Sequence, residues 1–200
     1  MAGGDDVTGA KRILVYGVTG SGKTTLARRI SEITGIPWHS MDDVVGWLPG
    51  WVERPPGDQR ALVSTIVASD EWVLDTAYGH WRDLVLDRAE LIVALDYSRL
   101  RSLARLTRRT AKRVVTRERT CNGNTESFGQ ALSSDSILVW HFRSFARKRE
   151  RIAGWLGDPS TPPVVRLRSP RATRQWLRMF TEPVEASPSV STEDPRSAPT

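Results

Sequence analysis

Cysteine is nearly absent from this chain of 200 residues, in which Cys121 is the only one. A lone thiol provides neither a disulfide framework nor a cysteine metal cluster. No apolar run approaches the roughly 18 residues that a membrane-spanning helix needs. The acidic start, with Asp5 and Asp6, also lacks the basic and apolar stretches of a secretory signal. We therefore expect a cytoplasmic protein with no membrane partner.

Positive charge is unevenly distributed along the chain, which has a formal net charge of +6. The last 20 residues carry four acidic residues against one arginine, so the other 180 residues carry a net charge of +9. A surplus of this sign fits an anionic ligand. Nucleotides and nucleic acids both qualify, and charge alone does not choose between them.

Short apolar runs alternate with helical patterns between Lys11 and Phe180. The predicted strands are 13–16, 36–39, 72–74, 91–95 and 164–167, and the predicted helices are 24–34, 58–68, 98–116, 136–156 and 171–180. Strands that alternate with helices predict an α/β fold, with a parallel sheet covered on both faces. Residues 1–10 are expected to form a flexible leader and residues 181–200 a disordered tail rich in proline and serine.

The segment after the first predicted strand matches the phosphate-binding pattern G-x-x-x-x-G-K-[ST] in full, because residues 17–24 read GVTGSGKT. Its glycines let backbone N–H groups approach phosphate oxygens, Lys23 places a charge on the outer phosphates, and the Thr24 hydroxyl coordinates magnesium. The sequence therefore predicts a P-loop that binds ATP with Mg²⁺. The predicted nucleotide contacts are Gly17, Thr19, Gly20, Ser21, Gly22, Lys23, Thr24 and Thr25.

Four segments together resemble the bacterial DNA topology modulation proteins, a branch of the adenylate-kinase-like P-loop kinases. They are residues 17–24, the IPWHSMD of 36–42, the PGWV of 49–52 and the WVLD of 72–75. The resemblance covers roughly residues 12–180. It implies a P-loop three-layer α/β/α sandwich of nucleoside-monophosphate-kinase type, with a five-stranded parallel sheet and a small lid at about 117–135.

Two carboxylates follow predicted strands. The resemblance implies that Asp75 lies near the magnesium, although the Pro-Arg that follows the corresponding aspartate in adenylate kinases is missing here, which argues against AMP as the acceptor. Asp42 follows the second strand, where the related shikimate and gluconate kinases keep an acidic residue that faces the acceptor. Such a carboxylate could orient or deprotonate a hydroxyl group. Both aspartates could instead cap helices or turns, and periodicity does not decide whether Asp42 or Asp43 points inward.

The helix after Asp96 is rich in arginine. Helical spacing places Arg101, Arg105, Arg108 and Lys112 on one stripe beside Arg109. Leu100, Leu103, Ala111 and Val114 lie on the opposite side, and we expect this apolar face to pack on the domain. The resemblance implies that arginines here clamp the transferring phosphoryl group, with Arg105 and Arg109 as catalytic residues and Arg108 and Arg113 as ATP-binding residues. The alternative is a solvated charged face. A second basic cluster at 143–151 could likewise join the clamp or face solvent.

Four of the eight tryptophans fall near the expected acceptor pocket: Trp38, Trp47, Trp51 and Trp81. Their indole rings could stack on a base or a sugar, or simply pack in the core. His39 and His80 lie in the same region, and neither has the partner that a catalytic histidine needs.

These patterns favour a kinase, a monomer or homodimer, that transfers the γ-phosphate of ATP to a nucleotide or a small hydroxyl-bearing metabolite. A toxin-type kinase acting on a cell-wall sugar precursor is a variant of that hypothesis. The alternative is a nucleotide-dependent regulator or nucleic-acid-binding protein that uses the basic helix. No RNA-binding or helix-turn-helix motif supports the alternative.

Overall fold

The computed structural model describes residues 9–116, 119–125 and 137–180. In chain order the strands are β1 (Arg12–Gly17), β2 (Trp38–His39), β3 (Trp47–Leu48), β4 (Val52–Glu53), β5 (Trp72–Leu74), β6 (Leu91–Leu95), β7 (Arg119–Thr120), β8 (Asn124–Thr125) and β9 (Val164–Leu167). The helices are α1 (Lys23–Thr34), α2 (Pro56–Val67), α3 (Arg82–Leu86), α4 (Arg99–Thr116), α5 (Ile137–Gly157) and α6 (Pro170–Arg178), and a π-helical turn spans Asp42–Gly46.

Five parallel strands form the central sheet in the order β2-β5-β1-β6-β9. Strand β1 lies at its centre, with Ile13 opposite Val73 of β5 and Leu14 opposite Ile92 of β6. Strands β3 and β4 form one separate antiparallel hairpin, and β7 and β8 form another. This architecture confirms the predicted five-stranded three-layer fold.

The two faces of the sheet carry separate apolar cores because side chains alternate along each strand. Ile13 and Val15 of β1 point to the face covered by α1 and α6, where Ile30 and Trp176 are buried. Leu14 and Tyr16 point to the other face, which packs against the π-helical turn and against α2, α3 and α5. Every residue of β5 and β6 is buried, as expected for inner strands of a parallel sheet.

Helix α4 packs differently from its predicted orientation. Its buried residues are Ser102, Leu106, Thr110 and Val114, at a spacing of four. Leu100 is 82% exposed and Ala111 is also exposed, so their expected place on the buried face is wrong. The helix lies against the backbone of residue 20 and against α5, and that close approach selects small and polar residues such as Ser102.

Some predictions fall largely on residues that the structure does not describe. They are the leader up to residue 8, the tail from residue 181, and most of the lid. Ala10, which the predicted leader includes, is buried in the core beneath α1 and α6. None of the described helices is long and apolar enough to cross a membrane.

Asp96, directly after β6, joins three elements. Its side chain is 1% exposed, and it accepts hydrogen bonds from Arg149 Nε of α5 at 2.7 Å and from Arg166 Nε of β9 at 2.8 Å. Because the carboxylate is buried, removing it leaves two guanidinium groups without their anion. The network therefore holds α5 and the edge strand β9 to the centre of the sheet.

We predict that Asp96→Ala lowers the free energy of unfolding by about 2–4 kcal/mol, the cost of breaking a largely buried ion pair. Urea denaturation measures the change. The matched control is Glu71→Gln, whose ion pair with Lys11 is exposed on both sides and is expected to contribute under about 1 kcal/mol. Equal effects of the two substitutions would contradict the prediction.

Candidate functional site

The backbone of the P-loop is in contact with neighbouring elements at its glycines. A Cβ on Gly17 would lie 2.6 Å from the carbonyl oxygen of Leu95, and one on Gly20 would lie 2.5 Å from that of Ser102. Gly20 and Gly22 also have positive φ angles of 79° and 96°, which side chains disfavour. These positions therefore require glycine, and the loop can turn its N–H groups toward an anion at the start of α1.

Two arginines of α4 face the P-loop. Arg105 reaches Gly22, since its Nη2 lies 2.7 Å from the point where a Cβ would stand, and its guanidinium lies 5.9 Å from the centre of the Tyr97 ring. Arg109, one turn further along, is near enough to the Lys23 ammonium to lower the pKa of Lys23. The structure thus brings together three of the predicted charges at the phosphate cradle.

Lys23 is partly buried, and its Nζ donates a 3.3 Å hydrogen bond to the carbonyl of Val18. Burial is the main cause that lowers its pKa, while Asp42 and Asp75 oppose the shift. The ammonium therefore lies between the glycine-rich backbone and two carboxylates. The buried Ser21 hydroxyl has no hydrogen-bond partner among the described residues, and an added phosphate oxygen would satisfy it.

Asp75 and Thr24 lie side by side at the carboxyl edge of the sheet. Asp75 is 3% exposed and accepts a 3.0 Å hydrogen bond from the Met41 amide, and the nearby Thr24 hydroxyl favours its charged form. Burial is the main cause that raises the pKa of Asp75. A hydroxyl and a carboxylate at a phosphate cradle are the hard oxygen ligands that Mg²⁺ prefers, so the donor set fits this ion.

Asp42 and Asp43 point in different directions. The Tyr78 hydroxyl donates a short hydrogen bond to Asp42 Oδ1, and Asp42 is close enough to Lys23 to influence its pKa. Asp43 is exposed and accepts a 3.0 Å hydrogen bond from the amide of Asn122. Of the two adjacent carboxylates, Asp42 is therefore the one that faces the P-loop.

A second amine faces the same carboxylate. Lys148 of α5 is partly buried and lies near both Lys23 and Asp42. Burial is the main cause that lowers its pKa to about 7, and the charge of Lys23 adds to this effect. The basic cluster of α5 thus joins the site through Lys148, while Arg143 and Arg147 are exposed.

The described part of the predicted lid contacts the hairpin β3–β4. Asn124 is 6% exposed, and its Oδ1 accepts hydrogen bonds from the amides of Gly50 at 2.7 Å and Trp51 at 3.0 Å. Its Nδ2 donates to the carbonyl of Leu48 at 3.0 Å. Trp51 has a positive φ of 59°, so the asparagine clamps an unfavourable turn. Residues 119–125 therefore cover the chain segment that follows Asp42.

The remaining predicted site residues lie further from the P-loop. Arg108 is exposed and makes no hydrogen bond or ion pair within the described ranges, and the half-buried Arg113 lies two turns beyond Arg105. Trp81 is fully buried in the core, and Trp38 packs on the opposite face of the sheet beneath Arg28. Trp47 and Trp51 remain near the Asp42 segment, with ring centres 5.7 Å apart.

His80 has a structural partner, because its Nε2 lies 2.9 Å from Gln59 Oε1. The same oxygen accepts a 3.1 Å hydrogen bond from Trp81 Nε1, and Gln59 is fully buried. This network joins α2 to the segment before α3. It gives His80 a role in packing.

No protein-family model matches the chain, and no curated protein matches it either. Among solved structures, a shikimate kinase from Acinetobacter baumannii in complex with shikimate is similar, with a TM-score of 0.56 at 14% identity over 90% of this chain and 96% of that one. A shikimate kinase from Bacteroides thetaiotaomicron has a TM-score of 0.52 at 15% identity, over 86% and 97%.

A gluconokinase from Sinorhizobium meliloti 1021 has a TM-score of 0.50 at 20% identity, over 86% of this chain and 91% of that one. The fold is that of small-molecule P-loop kinases. At these identities the likeness establishes the fold that the chain shares with these kinases.

Sequence reasoning missed two residues of this kinase fold and left a third undecided. Tyr78 and Asn124 contact the site through side chains from separate loops, and no spacing rule links them to Asp42 or to β3–β4. Lys148 is one of five basic residues at 143–151, and no sequence pattern separates it from the other four. It is half-buried, as Arg151 is, whereas the other three are exposed, and this difference depends on how α5 packs.

We predict that Asn124→Ala loosens the contact between the two hairpins. Losing a buried acceptor of two backbone amides costs about 1–3 kcal/mol, so the amides of Gly50 and Trp51 should exchange with solvent about tenfold faster or more. Hydrogen exchange followed by NMR measures this. Glu53→Gln on the exposed strand β4 of the same hairpin is the control, and it should alter these two amides little. Unchanged exchange in the Asn124 variant would contradict the prediction.

Proposed function

We propose that this chain is a kinase that transfers the γ-phosphate of ATP to a hydroxyl group of a small molecule. The observation that carries the proposal is the position of Asp42, which faces the P-loop lysine and is held by the Tyr78 hydroxyl. A carboxylate beside a phosphate cradle is the arrangement that an attacking hydroxyl requires.

ATP binding rests on the P-loop. The N–H groups of residues 17–24 and the Lys23 ammonium would hold the phosphates, and Ser21 would donate its buried hydroxyl. Arg105 and Arg109 would add positive charge where negative charge develops on the transferred group. Arg108 lies between these two arginines in the chain and is exposed, and Arg113 lies one turn beyond Arg109. We propose both as further ATP contacts.

Thr24 and Asp75 would hold the magnesium ion. When bound, Mg²⁺ neutralises charge on the β- and γ-phosphate oxygens and aligns them for transfer. The raised pKa of Asp75 shows that this buried carboxylate carries its negative charge at a cost. A cation at the site would offset that cost.

In the proposed step the acceptor hydroxyl lies between Asp42 and the γ-phosphorus. Its oxygen forms the new bond to phosphorus, its proton passes to an Asp42 carboxylate oxygen, and the bond from phosphorus to the β–γ bridging oxygen breaks to release ADP. Tyr78 holds Asp42 in position and accepts no proton. Burial and the neighbouring Asp42 charge raise the pKa of Tyr78, so its hydroxyl stays protonated.

The exposed surface of α4 gives weaker support to a second candidate function, nucleic-acid binding. Arg101 and Arg108 are exposed, as a nucleic-acid-binding face would require. Arg105 and Arg109 are exposed as well, but Arg105 reaches Gly22 and Arg109 lies near the Lys23 ammonium, so part of the stripe is directed to the P-loop. A nucleic-acid-binding role would show as affinity that falls steeply with salt. Membership of the DNA topology modulation group is likewise a proposal, as is the cytoplasmic location.

We predict that Asp42→Asn leaves ATP binding intact and lowers kcat about 10²–10⁴-fold, the usual contribution of a general base. Lys23→Ala should abolish ATP binding and turnover. Acceptor-dependent ADP release, measured over nucleosides, sugars and hydroxy acids, tests both. Asp58→Asn on the exposed start of α2 is the control. Wild-type turnover in either active-site variant, or no acceptor-dependent ADP release by the wild type, would refute the proposal.

A second prediction concerns Lys148, whose pKa of about 7 leaves it half-protonated at pH 7. A bound phosphate raises the pKa of a nearby ammonium, so ATP binding at pH 7 should draw about half a proton onto Lys148. Above pH 7 the free amine is mostly neutral, and below it the group is already charged. The uptake should therefore shrink at pH 5.5.

Calorimetry in buffers of different ionisation enthalpy measures this uptake. Lys148→Gln should remove the half proton, whereas Lys112→Gln on the exposed surface of α4 should not. Equal proton uptake in the wild type and in Lys148→Gln would show that Lys148 does not sense the nucleotide.

A further inference from the structure

Asn122 and Asn124 are the only two asparagines in the sequence, and both belong to the hairpin β7–β8. The structure gives them opposite surroundings. Asn124 is buried, and its side chain makes four hydrogen bonds to backbone groups, which are the amides of Gly50 and Trp51 and the carbonyls of Leu48 and Cys121. Asn122 is exposed, and its Nδ2 donates a 3.2 Å hydrogen bond to the carbonyl of Trp47.

The residue that follows Asn122 leaves the asparagine side chain accessible. Gly123 is exposed, and among the described residues no atom outside its chain neighbours lies within 4 Å of the point where a Cβ would stand. Glycine has no side chain to hinder a reaction at its own peptide nitrogen. The side-chain carbonyl carbon of Asn122 and the nitrogen of Gly123 can therefore form a five-membered ring without a steric clash.

The backbone of this turn is held in an unfavourable conformation. Cys121 and Asn122 have positive φ angles of 44° and 64°, which residues with a side chain disfavour. The amide of Asn122 donates a 3.0 Å hydrogen bond to Asp43 Oδ1, which is exposed like its partner. Exposed hydrogen bonds compete with water, so opening of this turn loses little stabilisation.

We propose that Asn122 is a site of spontaneous deamidation. The nitrogen of Gly123 loses its proton to hydroxide and attacks Cγ of Asn122. The new N–Cγ bond forms, the Cγ–Nδ2 bond breaks, and Nδ2 leaves as ammonia after it takes a proton from water. Water then opens the cyclic imide and leaves aspartate or isoaspartate at this position. The net reaction consumes water, releases ammonia and changes no oxidation state, and it does not depend on the proposed kinase activity.

The product carries a negative charge where the amide was a donor. A carboxylate cannot donate to the carbonyl of Trp47 and repels that oxygen. It also lies on the residue whose amide holds Asp43, so two like charges are brought together. Asp43 is the neighbour of Asp42 in the π-helical turn. Deamidation should therefore loosen the contact between residues 119–125 and the segment that carries Asp42.

Peptide mapping by mass spectrometry tests the site. The full-length protein is kept at 37 °C at pH 7 and at pH 9, and the chain unfolded in guanidinium chloride serves as the timer. We expect a mass gain of 1 Da and isoaspartate at Asn122, at a rate that rises with pH because the Gly123 nitrogen must lose a proton. Asn124 should react about tenfold more slowly or less, because its side chain must break four hydrogen bonds rather than one.

Asn122→Gln is the matched control, since glutamine keeps the amide but would need a six-membered ring, and its mass should stay constant. Two results would overturn the modification site. One is an Asn122 that stays intact at pH 9 in the folded protein while the unfolded chain is converted. The other is equal rates at Asn122 and Asn124.

Asn122→Asp reproduces the charge of the product and tests its consequence. Hydrogen exchange followed by NMR should show the amide of residue 122 exchanging about tenfold faster, because its hydrogen bond to Asp43 is lost. The amides of Gly50 and Trp51 should change little, since Asn124 still holds them. Unchanged exchange at residue 122 would overturn the proposed loosening.

Discussion

The site depends on how closely the P-loop backbone approaches its neighbours. Gly17 touches the end of β6, and Gly20 touches the start of α4, at distances that no Cβ could occupy. This contact sets the position of α4, and through it the positions of Arg105 and Arg109. A single alanine in the loop would push the helix away and move these charges. The glycines therefore organise the site as well as giving anions access to the backbone.

Two ammonium groups and two carboxylates lie around this loop. Lys23 and Lys148 are both partly buried, and burial lowers the pKa of each. Asp42 and Asp75 face them, yet burial raises the pKa of Asp75. Burial thus makes the charged forms of Lys23, Lys148 and Asp75 less favourable here than in water. Polyphosphate and a divalent cation would stabilise all four charges at once. Pre-organised charge of this kind is what phosphoryl transfer asks of a protein.

The two adjacent carboxylates after β2 have different partners. In the π-helical turn, Asp42 is held by Tyr78 toward the phosphate cradle, and Asp43 accepts a hydrogen bond from Asn122 of the lid segment. Asn124 then fixes the following hairpin. Residues 119–125 and the carboxylate that faces the P-loop are therefore joined through one short stretch of chain.

Much of the architecture could be predicted from local patterns. The strands at 72–74, 91–95 and 164–167 match the prediction residue for residue, since an unbroken apolar run between polar turns is typical of a strand buried on both faces. Residues 46–57 are rich in turn-forming residues, and the structure has the hairpin β3–β4 there, directly after the π-helical turn. A two-residue strand is too short to show periodicity. Its pairing depends on Asn124, some 70 residues away along the chain.

The chain by itself determined the phosphate cradle, because the glycines, Lys23 and Thr24 of the motif lie within eight consecutive residues. It also determined the alternation that produces the sheet. Only the tertiary structure decided that Asp42 rather than Asp43 faces Lys23, that Leu100 lies in solvent, and that Lys148 joins the site. These depend on which face of a turn or helix is buried, and burial is set by packing between elements far apart in sequence.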